Sequence, residues 1–294
     1  MEWLGIYLIL GGAVGVMAGL FGIGGGGVLV PAFVSIFLAQ GMQSHLVMHY
    51  AIATSMACIL VTSFASMRAH NAKGTVQWPI VNSMAPWIIL GTFAATFIAT
   101  ALSTQVLAGI FSVFMLSVAI KMLRQTSSGQ VHDSKRLTPS SMGLAGLGIG
   151  AISALVSIGG GSLTVPYLSN RGINIKHAIG TSAAIGLPIA IAASLGYWVN
   201  GLTSAEAAQE MGIYDIGAQT RAVMGDGWWQ VAAQSLDMSL GFISVPAAVC
   251  VAFGSYFSAP YGVVLAHKLP VGLLKKLFAC LLIILSLKMF SSLV

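Results

Sequence analysis

Charge is what this chain has least of. Of 294 residues, 13 are Lys or Arg and 7 are Asp or Glu, 7% in all, against 57% hydrophobic and a mean hydropathy of +0.91. A soluble domain carries roughly a quarter charged residues to cover its surface. This chain has no such cover, so its surface faces lipid. Strict period-2 alternation is also missing, which argues against a membrane β-barrel. Cysteine is scarce: Cys58, Cys250 and Cys280 sit inside apolar runs, form no CxxC pair, and read as small buried hydrophobes. No HExxH, GxSxG or paired aspartates occur in the apolar runs, and besides Glu2 only Asp237 is a carboxylate near a run's edge. The chain is therefore not expected to be an enzyme, nor to hold a metal or cofactor. The lack of an ATP-binding motif disfavours primary transport.

What is present is a series of long apolar runs. A spanning helix needs about 20 mostly apolar residues. Runs occur at Trp3 to Ile23, Val47 to Met67, Ile80 to Leu102, Val106 to Leu123, Met142 to Ile158, Ala178 to Val199, Met238 to Ala266 and Leu277 to Val294. The expected fold is an all-α polytopic membrane protein. The first run does not read as a removable signal, since its leading charge is Glu2 and no small-x-small site ends a short core. The net charge of +6 comes from basic residues scattered at run ends, an orientation signal rather than a nucleic-acid surface.

The runs repeat. At an offset of 135, Gly11, Gly15, Ile23, Gly24, Gly25, Gly26 and Pro31 fall on Gly146, Gly150, Ile158, Gly159, Gly160, Gly161 and Pro166. Ala51 to Ser55 (AIATS) then matches Ala178 to Ser182 (AIGTS). Phe111 with Lys121-Met122 matches Phe278 with Lys288-Met289. Three matches in the same order define two homologous halves, residues 1–123 and 141–294, joined by a polar linker at 124–140. The second half carries an extramembrane insertion at about 200–237, where Trp228 and Trp229 could anchor at the interface.

Charge chooses the orientation of the halves. If each glycine-broken segment crosses twice, or enters and returns, the halves are inverted. Arg68, Lys73, Lys121, Arg124, Lys135, Arg136, Arg171, Lys176, Lys268, Lys275 and Lys276 then share one side, leaving Arg221 and Lys288 opposite. Parallel halves give at best eight against five. The positive-inside rule favours inverted repeats with a cytoplasmic linker.

The chemistry is expected at two glycine clusters, Gly22 to Gly27 and Ser157 to Ser162. Consecutive glycines are poor helix formers, each costing about 1 kcal/mol against alanine. Broken helix inside a bilayer is tolerated only where it is buried in protein or lines a cavity. Pro31 and Pro166 further resist one continuous helix. A helix restarting after the glycines offers free N–H groups and a partial positive end, which suits an anion. Gly24, Gly25, Gly26, Gly27, Gly159, Gly160, Gly161 and Ser162 are therefore the expected substrate-binding backbone. Thr54, Ser55, Thr181 and Ser182 are matched hydroxyls that could add donors, or could bond back to their own helices. His49 and His177, one repeat position apart, are candidates for proton coupling. Gly11, Gly15 and Gly19 fit close helix packing instead. Gly22, Gly24 and Gly27 satisfy GxGxxG, but no strand precedes them and no carboxylate follows at the required distance, so a dinucleotide site is rejected.

With these motifs in place, the chain resembles the TauE/SafE family of sulfite exporters. The likeness rests on GLFGIGGGGVLVPAF, ALVSIGGGSLTVPYLS, the AIATS and AIGTS stretches, Ser239-Leu240-Gly241-Phe242 and the C-terminal LKMF. It implies an inner-membrane transporter of sulfite, sulfoacetate or other small organosulfonates and anions. Ser157 and Ser162 stand where the first half has Gly22 and Gly27, so the halves could contribute unlike ligands. The expected activity is secondary transport, an export, by alternating access around the paired half-helices. A passive anion channel and, further off, an intramembrane enzyme are the alternatives. The partners expected are a small anion and the bilayer.

Overall fold

A computed structural model of the chain describes residues 2–21, 25–124, 139–203, 239–268 and 271–293. Among these residues the first half forms α1 (Glu2–Phe21), α2 (Gly26–Ala39), α3 (Val47–Ala72), α4 (Trp78–Ala101) and α5 (Thr104–Arg124). The second forms α6 (Pro139–Val156), α7 (Gly161–Ser169), α8 (Ile175–Thr203), α9 (Val245–Lys268) and α10 (Val271–Leu293). A short antiparallel ribbon, β1 (Ser239–Leu240) with β2 (Ile243–Ser244), precedes α9. Gly22, Ile23 and Gly24, most of the linker, and the insertion with its acidic residues and Trp228 and Trp229 lie outside the described residues.

Among the described residues, four helices are long and apolar enough to cross a membrane: Val47–Ala72, Trp78–Ala101, Thr104–Lys121 and Ile175–Leu202. Over their apolar windows α3 and α8 are 78% and 67% buried, against 39% for α4 and α5. The first two are therefore central, and the others expose large apolar side chains such as Phe97, Ile98 and Val113 on the outside. Cys58 is buried in this core, whereas Cys250 is half-buried and Cys280 exposed, so only the first is the buried hydrophobe expected of all three.

The packing mirrors the duplication. α1 lies along α9 and α6 along α4; α3 pairs with α8, and α5 with α10. α4 rests on α8 as α9 rests on α3, and α2 on α3 as α7 on α8. Exchanging the halves carries each of these pairs into another or into itself. Small residues let the first two pairs close, because a Cβ on Gly11 would meet the Val251 carbonyl at 2.5 Å. Gly91 and Gly150 meet the backbones of Leu147 and Ile88 in the same way.

Each half opens with a hairpin of helices whose tip is the glycine break. Tyr7 near the start of α1 donates to Gln40 Oε1 at the end of α2 at 3.2 Å, and its ring is 6.2 Å from Phe33. In the second half Tyr167 and Arg171, at the end of α7, donate to the carbonyl and hydroxyl of Ser141 at 3.1 and 3.2 Å. At 1.5 Å per residue, α2 and α7 are about 21 and 14 Å long, short of a hydrocarbon core of about 30 Å. Their helices run through Pro31 and Pro166, so the glycines rather than the prolines make the break.

α3 and α8 run antiparallel. At the start of α8, His177 Nδ1 and the Thr181 hydroxyl bond to Thr75 and Gln77, just past the end of α3. Near the end of α8, the Trp198 backbone abuts Gly241, and the adjoining Phe242 packs 5.5 Å from His49 at the start of α3. The open ends of the two hairpins, which lead into α3 and α8, therefore lie at opposite ends of this central pair.

Candidate functional site

The two breaks share one backbone geometry. Gly25 (φ 76°, ψ −8°) and Gly160 (φ 74°, ψ −27°) are both left-handed and immediately precede the first residue of α2 and α7. Only glycine takes this conformation without cost. The Gly25 carbonyl accepts from Val28 and Leu29 at 3.1 Å, and that of Gly160 from Leu163 and Thr164 at 3.2 and 2.7 Å. The first N–H groups of each helix, on Gly26, Gly27, Gly161 and Ser162, have no acceptor within the helix.

The breaks also touch. Gly26 lies so close to the Ser157 carbonyl that any Cβ there would collide with it. Ser157 ends α6 in the left-handed position usually held by glycine, with φ 50°, while Ile158 N–H reaches back to the Ser153 carbonyl at 3.2 Å. That conformation costs about 1–2 kcal/mol for a residue with a Cβ. The Ser157 hydroxyl donates to the Ile52 carbonyl of α3 at 3.3 Å, and the Ile59 side chain borders Gly26. Ile52, Ser55 and Ile59, at i, i+3 and i+7, form one face of α3, so Ser55 lies on the face that meets the junction. Its hydroxyl is fully buried with no partner among the described residues. The Ser162 and Thr164 hydroxyls in the first turns of α7 are also without one.

The matched residues are not brought to one point. Thr54 accepts the Ser244 N–H at 3.0 Å, and Thr181 accepts the Gln77 N–H at 3.0 Å. Each thus holds the start of a helix of the opposite half, α9 for Thr54 and α4 for Thr181. Thr54 and Gln77 flank most of α3, which puts Thr54 and Thr181 roughly 25 Å apart along it. Ser182 bonds back to the Ile179 carbonyl at 2.8 Å. His49 Nε2 pairs with the Leu102 carbonyl at 3.0 Å and His177 with that of Thr75 at 3.2 Å, so the two imidazoles stand at opposite ends of α4. Thr54→Val and Thr181→Val each strip a partly buried N–H of its acceptor. Each is expected to cost about 1–3 kcal/mol, read as a lower unfolding midpoint in detergent that serine at the same position restores.

One cavity was not foreseen. Ala18, Gly19, Thr62, Ser63, Ser66, Gly159, Ala183 and Ala259 line it, from α1, α3, the second break, α8 and α9. The signal for it lay in the sequence: Thr62, Ser63 and Ser66 continue the hydroxyl face of α3 below Ser55 at helical spacing. Comparison of the halves passes over them, because Ile189, Ala190 and Ala193 occupy the equivalent places.

A multi-pass helical protein with a discontinuous helix in each half, and the two breaks in contact at its centre, has the build of a membrane transporter. Residues 7–218 match the family described as Sulfite exporter TauE/SafE, and the chain belongs to that family. It is 34% identical over 283 residues, 96% of each chain, to a "Probable membrane transporter protein" of Haemophilus influenzae. It is 24% identical over 268 residues, 90% of this chain and 87% of the other, to a protein of the same description from Methanocaldococcus jannaschii. MamO of Paramagnetospirillum magneticum, also described as a probable membrane transporter protein, is 26% identical over 95% of this chain and 43% of its own length. No solved structure matches.

Proposed function

We propose that this transporter exports a small anion, sulfite or an organosulfonate, by alternating access around the ends of α2 and α7. The observation that carries the reading is the contact of the two breaks at Gly26 and Ser157. In that contact the partial positive end of α2 is met by a carbonyl oxygen. Parting the halves would exchange that oxygen for one on the anion, with N–H groups of Gly25, Gly26, Gly27, Gly161 and Ser162 and the hydroxyls of Ser55, Ser162 and Thr164 as donors. Thr54 and Thr181 act in this reading by fixing α9 and α4 rather than by touching substrate. The antiparallel course of α3 and α8 supports treating the halves as inverted repeats. The basic residues support an inner-membrane protein with its linker in the cytoplasm. The family description supports the sulfur oxyanion.

The test is flux in proteoliposomes with sulfite, sulfoacetate, sulfate and chloride offered in turn. The reading expects saturable, selective movement of sulfite or the sulfonate that is lost in Gly25→Ala and Gly160→Ala. A Cβ at those positions is strained by φ and would lie 2.5 Å from Val14 and 2.9 Å from Ile189. Non-saturating flux would make it a channel, and no flux of any of the four would withdraw the sulfur assignment.

A further inference from the structure

We propose that the cavity beside the second break binds one sodium ion, and that this ion drives the anion's movement; the coupling, though not the site, rests on the transporter reading above. Among the described residues, the cavity's lining offers hydroxyl and carbonyl oxygens set between alanine and glycine carbons, and no full charge. The Gly159 carbonyl, freed by the break, accepts no backbone hydrogen bond among the described residues. A Cβ placed on Gly186 of α8 would lie 2.9 Å from this oxygen and 2.8 Å from the Ser63 hydroxyl. The two oxygens thus converge on Gly186, and both of their residues line the cavity. Ser63 is 97% buried (3% exposed) and has no hydrogen-bond partner among the described residues. Thr62 directs its proton at the carbonyls of Ile59 and Cys58, at 3.1 and 3.4 Å, which leaves its lone pairs for the cavity. Ser66, one turn on, supplies a fourth oxygen.

Carbonyl and hydroxyl oxygens suit a hard cation, and a carbonyl repels an anion. A divalent ion is disfavoured because no carboxylate among the described residues lines the space. The open volume is about that of one water molecule, which admits a dehydrated ion as small as sodium and excludes a hydrated one. Unwound backbone carbonyls in broken transporter helices are suited to this task. The second half has Ile189, Ala190 and Ala193 where the first has Thr62, Ser63 and Ser66, so one site per chain is expected. Ser63 lies about 12 Å along α3 from Ser55, near enough for one helix to report ion binding to the junction.

The experiment uses the full chain in detergent and follows binding of radioactive sodium, together with the unfolding midpoint in sodium, potassium and choline chloride at equal strength. Saturable sodium binding is expected, with a midpoint raised by sodium alone. Ser63→Ala should bind sodium about tenfold more weakly, the equivalent of 1.4 kcal/mol, while keeping the wild-type midpoint in choline. Gly186→Ala, whose methyl would displace the Ser63 and Gly159 oxygens, should lose the sodium increment even if its base midpoint falls. No sodium binding, or equal shifts in all three salts as a trapped water would give, overturns the site. Anion flux that ignores a sodium gradient, while sodium binds, overturns the coupling. Sodium binding with no anion flux leaves the site standing and removes the anion reading instead.

Discussion

Gly26→Ala will abolish transport and lower the yield of folded protein more than any other single methyl added to these helices. The added carbon points into the Ser157 carbonyl, a backbone atom that cannot swing aside, and also meets Ile59. Overpacking of this kind costs about 1–3 kcal/mol when side chains can adjust, and more when backbone must move. Here relief requires the two hairpin tips to part, and the tips are the centre of the molecule. Gly148→Ala is the internal control, because nothing lies within 4 Å of a Cβ at that position of α6. It should be neutral or stabilise by about 1 kcal/mol through helix propensity. Unfolding midpoints and flux measured on both variants separate a contact-specific effect from a general dislike of added bulk. Equal behaviour of the two would remove the tip contact from the account.

Ser55→Ala should do the reverse, sparing the fold while reducing transport. A buried hydroxyl without a partner carries a desolvation penalty of about 1–3 kcal/mol, so its removal should leave the midpoint unchanged or raise it. Its service to an anion, a hydrogen bond to a charged group, is worth about 1.5–3 kcal/mol, or roughly ten- to a hundredfold in flux at low substrate. Ser182→Ala, whose hydroxyl is already bonded to Ile179, should change transport little. A variant at Ser55 that transports normally would place the anion's path elsewhere.

Much of this architecture could be read from local features. Hydropathy marks the long spans, and consecutive glycines mark the breaks, because each effect acts within a few residues. The ribbon at Ser239 to Ser244 was hidden inside the apolar run Met238 to Ala266, since two-residue strands carry no period. The site was less legible, for a reason rooted in the duplication. Matched residues in two antiparallel helices meet only near the point where the helices cross. Thr54 and Thr181 match because each holds a helix start, at opposite ends of the bundle. Residues that do meet, such as Gly26 with Ser157 or Gly186 with Ser63, are unmatched in sequence and are joined by packing alone. Search by repeat therefore found the scaffold of the site more readily than its lining.

The central claim is that the buried junction of the two breaks is where the anion is held. It is tested most directly by Ser55→Cys in a chain whose Cys58, Cys250 and Cys280 have been replaced, reconstituted and exposed to a maleimide with and without sulfoacetate. Sulfoacetate is chosen because, unlike sulfite, it does not consume the reagent. The account predicts labelling during transport cycles, as the halves part, and protection that saturates with the anion over the same range as its flux. A thiol that stays unreactive in an actively transporting protein, or is labelled equally with and without a transported anion, would contradict it.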